Sequence, residues 1–588
     1  MEPADLDLLR RYEPILRYTH GELFLPIAVD DYVARCSLWD ERDSPVVPAG
    51  ELTLESLAEQ GRRRREHRMH LRFVQKSLRA KEVRRWRRTD RPRVGGIGRF
   101  AAVGVIARLI DVLLRLSLLV RGKVPNGLVA AAHQGSKDLH GATYYGRVVR
   151  SAGYTVLQYW YFYAFNDWRS TFHGVNDHEA DWENVCVYLV PGENGGENEL
   201  VPAWVAGSSH DHTGDDLRRR WDDPLLDRSG DHPVLYPGAG SHSHAFVAGD
   251  YVVSVGLPAL RAVLRTIQRM RRWLMPFAPE PGTGSFDIPF IDYARGDGVA
   301  LTAWTRVPVD DGTPWIRDYR GLWGLDTKDS FGGERAPAGP RYERDGSVRR
   351  SWADPLGWAG LDKVPATADE EVAALEERMK LLQVRVDELE TEIAGERLAV
   401  RGLYAEIRSL TAHTDAAPGR PAHLEELRAR ETALAGLVAE RVRLTEEIDV
   451  QSDRLARPRP PGPPDAHLNR PHLPYVVPAD LRSRFLRVWA ALSIPVLIGG
   501  LGALLYWPHL STLLWFAVGL VAFAIVESVA RRRSVEFAAS LAGLAITALV
   551  VTGLVIALLS GWKIVLAGSL ALAALLLLVV NVRELRGR

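Results

Sequence analysis

The densest run of side chains able to do chemistry is Asp177-His178-Glu179-Ala180-Asp181-Trp182-Glu183, which leads straight into the β-branched run Glu183–Val190. Side chains at i and i+2 of a strand point the same way, so Asp181 and Glu183 share a face while Trp182 turns to the other. Two neighbouring carboxylates repel unless a cation lies between them, and His178, in the loop just before, reaches the same place. One reading of these residues is a divalent metal cation, Mg, Ca or Mn ahead of Zn, between His178, Asp181 and Glu183. Further histidines follow later strands, in His210-Asp211-His212 and in Gly240-Ser241-His242-Ser243-His244. If an ion activates water here, His210, His212 or His242 is the candidate acid or base. The bland alternative is a hydrogen-bonded surface network in a chain that carries 17 histidines. There is no HExxH, GxSxG or P-loop sequence to name a reaction.

The elements that must position these groups lie in residues 1–365. Short aromatic and β-branched runs separated by Gly, Pro, Asp and Asn predict strands at Tyr154–Phe165, Glu183–Val190, Leu200–Ala206, Pro233–Tyr236 and Tyr251–Val255. A mainly-β, antiparallel sandwich is the most economical fold for such a head. The segment 62–121 does not belong to that pattern. Fifteen of the positions from Arg62 to Arg93 are Arg or Lys, and the apolar stretch Phe100–Val120 is interrupted on one helical face by Arg108, Asp111 and Arg115. Two readings stand for this helical insertion: contact with anionic lipid headgroups, or a solvated basic helix packed on a core helix. No nucleic-acid-binding motif accompanies the charge, so no nucleic acid is expected as a partner.

The pattern His178-x-x-Asp181-Trp182-Glu183 follows the aromatic run Tyr159–Tyr163 and precedes Ser209-His210 and His232-Pro233-Val234-x-Tyr236-x-x-x-Gly240-Ser241-His242. With Arg17-Tyr18-x-x-Gly21-Glu22-x-Phe24-x-Pro26, Gly339-Pro340 and Trp352-x-Asp354-Pro355, it resembles the vacuolar protein sorting-associated protein 62 family across most of the head. The same core is similar to the necrosis-inducing cytolysins, a resemblance that implies a β-sandwich and a divalent metal bound through His178, Asp181 and Glu183. Those proteins have a further acidic ligand eight positions before the histidine, where this chain has Ser170; Asp167 or Asp177 is the substitute to consider. Toxicity is not implied, because the N-terminus lacks the basic and apolar regions of a signal peptide.

After the head, Val372, Met379, Val386, Ile393, Val400 and Ile407 recur every seven residues, with Leu375, Leu382, Leu389, Leu403 and Leu410 between them; Glu396 breaks the seam. The spacing predicts a coiled coil over 366–456, folded into an antiparallel hairpin by the turn Asp415–Arg420 or paired with a second copy as a homo-oligomer. Residues 457–480 are rich in proline and read as an extended linker. Residues 481–588 hold four apolar runs, Val488–Tyr506, Leu513–Val526, Phe537–Leu559 and Ile564–Val582, which predict a four-helix transmembrane domain. Arginines at 482, 484, 487, 531, 532, 533, 583, 586 and 588 fall on one side and only Lys563 on the other, so a multi-pass cell-membrane protein with both termini cytoplasmic is expected.

The formal net charge of +1 over 588 residues leaves any charged partner to local clusters. Two cysteines, Cys36 and Cys186, exclude a disulfide framework and fit a reducing compartment. Arg- and Ala-rich usage with few Met points to a GC-rich bacterial source. Two functional classes follow: a membrane-anchored, metal-supported binding or scaffold module that reads lipid or glycan headgroups or docks a protein, and a divalent-metal-dependent hydrolase.

Overall fold

The computed structural model describes the chain apart from residues 1, 65–67, 93, 95–102, 106, 109–123, 126, 140, 169–173, 175, 193–198, 210–212, 257–284, 328–334, 414–419, 457–471, 474–480, 536, 539–540, 543–548, 550–551, 554–561 and 586–588. Its centre is a six-stranded sheet in which Thr143–Ser151, Tyr154–Asn166, His178–Pro191 and Leu200–Gly207 run antiparallel in sequence order. Arg219–Arg220 closes one edge, and Thr305–Pro308 joins the other edge in parallel. The first two strands meet at a two-residue turn, where Ala152 and Gly153 both have positive φ. That backbone matches the right-handed twist of the flanking strands.

Alternation in the strand Tyr154–Asn166 explains how both faces of this sheet are covered. Leu157, Tyr159, Tyr161 and Tyr163 enter a core shared with Leu16, Tyr18 and Leu235, which belong to or adjoin a second, smaller sheet. That sheet includes Ile15–Arg17 paired in parallel with His232–Pro237. Trp160, Phe162 and Ala164 face the other way, into a core built with the helices Val29–Arg35, Leu54–Arg63, Leu128–Ser136 and Pro314–Asp318. Trp182, Trp315 and Trp323 meet there edge to face and stacked, with ring centroids 5.5–6.1 Å apart. Each fully buried ring of this kind contributes roughly 1.5–3 kcal/mol relative to exposure.

This arrangement corrects the expected fold class. The chain is mixed helix and sheet rather than mainly-β, because one face of the central sheet is covered by helices. Among the described residues two strand pairings are parallel, where an antiparallel sandwich was expected.

The coiled coil expected over 366–456 is also corrected. The helices Ala368–His413 and Arg420–Leu455 lie side by side and antiparallel, since Arg378, Arg385 and Glu396 pair with Glu447, Glu440 and Arg430 in turn. Leu382, Val386, Leu389 and Leu444 form the buried contact, while Val372 and Val450 at the far end are exposed. A heptad stripe guarantees an apolar face, which any helix pair can bury; a supercoiled seam along its length is not shown.

The four-helix transmembrane domain is corrected as well. Among the described residues two helices, Leu481–Tyr506 and Leu510–Ala530, are long and apolar enough to cross a membrane. The run Phe537–Leu559 lies largely outside the described residues. In the helix Trp562–Leu585 the described apolar part is the shorter stretch Ala567–Leu578. The linker 457–480 also departs from a plain spacer, because His472–Leu473 pairs as a short strand with Gly249–Gly256 of the head.

Candidate functional site

The strand His178–Pro191 carries the motif, and its neighbour Tyr154–Asn166 fixes where each side chain points. Asp181 lies opposite Tyr163 and Glu183 opposite Tyr161, on the face toward the second sheet, while Trp182 enters the other core. Ala180, between Glu179 and Asp181, has φ +59, a left-handed conformation unusual for a strand residue with a side chain. Its carbonyl lies 2.7 Å from His178 Nδ1.

The three expected metal ligands do not converge. His178 Nδ1 is engaged by the backbone, and Glu183 accepts a hydrogen bond from the Ser208 hydroxyl. Asp181 Oδ2 lies 2.9 Å from His242 Nδ1. Among the described residues no group of three or more His, Cys, Asp and Glu side chains is arranged to hold a metal ion. The described side chains alone therefore give the divalent cation no support. The position eight before His178, Ser170, lies outside the described residues, as do His210 and His212.

What the fold does assemble is a buried imidazole between two carboxylates. His242 is wholly buried, with Nδ1 against Asp181 and Nε2 3.7 Å from Glu22 Oε1. Its ring stacks on Tyr163 at 3.7 Å between centroids and 4° between planes. The turn that delivers it is tight: the His242 amide donates to Gly238 O at 2.9 Å, and His242 itself has φ +56. Gly240 in that turn has φ +74, and a Cβ there would collide with the Asp167 carbonyl, so only glycine suits the position. Glu22 is fixed by the amides of Leu23, Phe24 and Gly240 at 2.7–2.9 Å.

Burial alone lowers the affinity of His242 for a proton, but the hydrogen bond to Asp181 and the charge of the nearby Glu22 carboxylate outweigh it and raise the pKa to about 9. Near neutral pH the ring is an imidazolium that donates through Nδ1 to Asp181 and holds Nε2 3.7 Å from the Glu22 carboxylate, an ion-pair distance. His244, also buried, is pushed down to about 3 by its burial and by the charge on His242, and so stays neutral. A general base must be both neutral near the working pH and within reach of substrate. His242 is neither, being protonated and enclosed.

Sequence reasoning missed Glu179. It is fully buried, and its carboxylate accepts from the amides of Phe73, Val74 and Leu325 at 2.8–3.2 Å. It thereby binds two distant segments to the helix-covered side of the sheet. Burial raises its pKa although these three amides oppose the shift. The motif showed a further acid; nothing local showed partners more than a hundred positions away. Glu22 was visible only as part of the Arg17–Pro26 pattern.

No family model matches the chain, and no curated protein matches it. Among solved structures, the crystal structure of the non-toxic HaNLP3 protein is similar at 17% identity, covering 18% of this chain and 44% of that one, with a TM-score of 0.14. This is a small, partial likeness to a necrosis-inducing fold and carries no argument about the whole chain. The resemblance to the vacuolar protein sorting-associated protein 62 family receives no support from these comparisons.

Proposed function

We propose that this chain is a membrane-anchored binding module whose head lies on the cytoplasmic face and reads anionic lipid headgroups. The observation that carries the reading is the exposure of the helices Leu481–Tyr506 and Leu510–Ala530, in which only 17% of each apolar stretch is buried. Helices of a soluble core hide their apolar sides, whereas these leave Val488, Leu492, Val496, Leu514, Trp515 and Val518 open.

The orientation rests on where the cations lie. Arg482 Nε donates to Ala530 O at 2.6 Å, so the start of the first helix and the end of the second are neighbours. Arg482, Arg484 and Arg487 share that end with Arg531, Arg532 and Arg533, which the positive-inside rule assigns to the cytoplasm.

The headgroup contact is assigned to the helix Ala80–Thr89. Val83 and Trp86 pack inward, with Trp86 Nε1 donating to His133 Nδ1 at 2.9 Å, and Lys81, Arg84, Arg85, Arg87 and Arg88 are exposed. A basic face held by a packed apolar one suits an anionic surface, where each cation contributes about 1 kcal/mol at low salt. This reading needs no ion at His178, Asp181 and Glu183, and the hydrolase alternative gains nothing from an enclosed, protonated His242.

The test is hydrogen exchange of the full chain in nanodiscs. With phosphatidylserine present, amides of residues 80–89 are expected to exchange more slowly than in pure phosphatidylcholine, and 1 M salt to erase the difference. Equal exchange in both lipids would remove the headgroup contact from the proposal.

A further inference from the structure

Arg108 and Glu527 are 419 positions apart, yet they form one of the most enclosed ion pairs of the chain, with side chains 0% and 4% exposed. The Arg108 guanidinium meets both carboxylate oxygens of Glu527, at 3.3 Å for Nη1 and Oε1. Arg531, one turn further along, donates through Nε to Glu527 Oε1 at 2.8 Å. Both arginines also bond the Val103 carbonyl, Arg108 at 2.6 Å and Arg531 at 2.9 Å. Beside this knot Val105 is buried with Leu497 and Ala524, against Phe516, Leu520, Phe523 and Phe537. Val103, Val105 and Arg108 thus belong to the head's insertion by sequence and to the apolar helix pair by packing.

The linker makes a second attachment. His472–Leu473 is a strand on the head, and Leu481 opens the first apolar helix. Eight residues of fully extended chain reach at most roughly 28 Å. The head is therefore held near the arginine-rich end of the helix pair rather than spaced away from it.

We infer that Glu527 is the receptor of a latch: Arg108, together with Val105, fastens the head's insertion to the helix pair, and Arg531 holds the carboxylate in place. Apolar packing alone would leave the insertion free to slide along the helices. A buried carboxylate fixes it at one place, because every other register strands a charge. The latch does not depend on the proposed lipid contact, and it forms whether or not the helices cross a membrane.

The test is maleimide labelling of a Val105→Cys chain in native membranes, with the buried Cys36 and Cys186 as internal reporters of the head fold. With no other substitution, the introduced thiol is expected to be protected. Glu527→Gln and, separately, Arg108→Gln are expected to speed its labelling on the order of a hundredfold while Cys36 and Cys186 stay protected. Unchanged protection in both variants, or fast labelling before either substitution, would overturn the latch. Simultaneous labelling of all three thiols in both variants would also overturn it, making the pair a requirement of folding instead. Carbonate extraction of the same samples reads the membrane assignment separately: a protected introduced thiol in an extractable chain leaves the latch standing and removes the anchor.

Discussion

Two apolar regions of this chain treat similar side chains in opposite ways. All thirteen residues of the strand Tyr154–Asn166 are buried, with aromatics on both faces. In the helices Leu481–Tyr506 and Leu510–Ala530, Leu, Val and Trp side chains stand largely exposed. A protein in water can leave apolar groups open only in small patches. The strand is buried in a protein interior, and the helices are long and apolar enough to cross a membrane. Substitutions that separate those two environments test the difference.

The largest effect is expected from Trp160→Ala, which empties a fully buried site beside Trp352 and should destabilise the head by about 3–5 kcal/mol in urea unfolding. Trp515→Ala, at a site 75% exposed, should leave that midpoint unchanged. Equal losses would erase the distinction.

Removing the imidazolium between Asp181 and Glu22 by His242→Ala should cost a similar amount, about 3–5 kcal/mol. Its pH signature is separate. The folded pKa, about 9, lies above the ordinary histidine value, so the contribution is complete below about 6.5 and is lost as pH rises through about 9. The unaltered chain should lose head stability between those values, and His242→Ala should flatten that part of the profile. A profile that is the same in both chains would remove the charge from His242.

Val518→Arg should be next in size. On the helix Leu510–Ala530 the position is open to its surroundings, so in a bilayer the charge costs about 2.5–3.5 kcal/mol of insertion and in water almost nothing. Membrane-integrated yield against the unaltered chain reads the difference. The smallest effect belongs to the exposed basic helix. Changing Arg84 and Arg88 together to Gln should weaken the anionic-lipid protection of residues 80–89 by about 1 kcal/mol per charge and leave unfolding unchanged.

Local pattern made the strands legible. Tyr154–Phe165 is found as Tyr154–Asn166, Leu200–Ala206 as Leu200–Gly207, and Pro233–Tyr236 inside His232–Pro237. The alternation that sends Asp181 and Glu183 one way and Trp182 the other was readable for the same reason. The partners of those carboxylates were not. Whether Asp181 meets an ion or His242, and whether Glu183 meets an ion or Ser208, depends on loops brought in from 25 to 61 positions away. Glu527 was legible as a lone charge in an apolar run, but Arg108 lay in a segment whose own pattern fitted an interfacial helix equally well. Helix coverage of one sheet face was hidden too, because Val29–Arg35 and Pro314–Asp318 are too short to show a period.

The central claim is that the helices Leu481–Tyr506 and Leu510–Ala530 sit in a bilayer. Washing membranes from cells that express the full chain with alkaline carbonate tests it most directly. The account predicts that the chain stays in the pellet and enters solution only with detergent; release into the carbonate supernatant as a folded, soluble protein would contradict it.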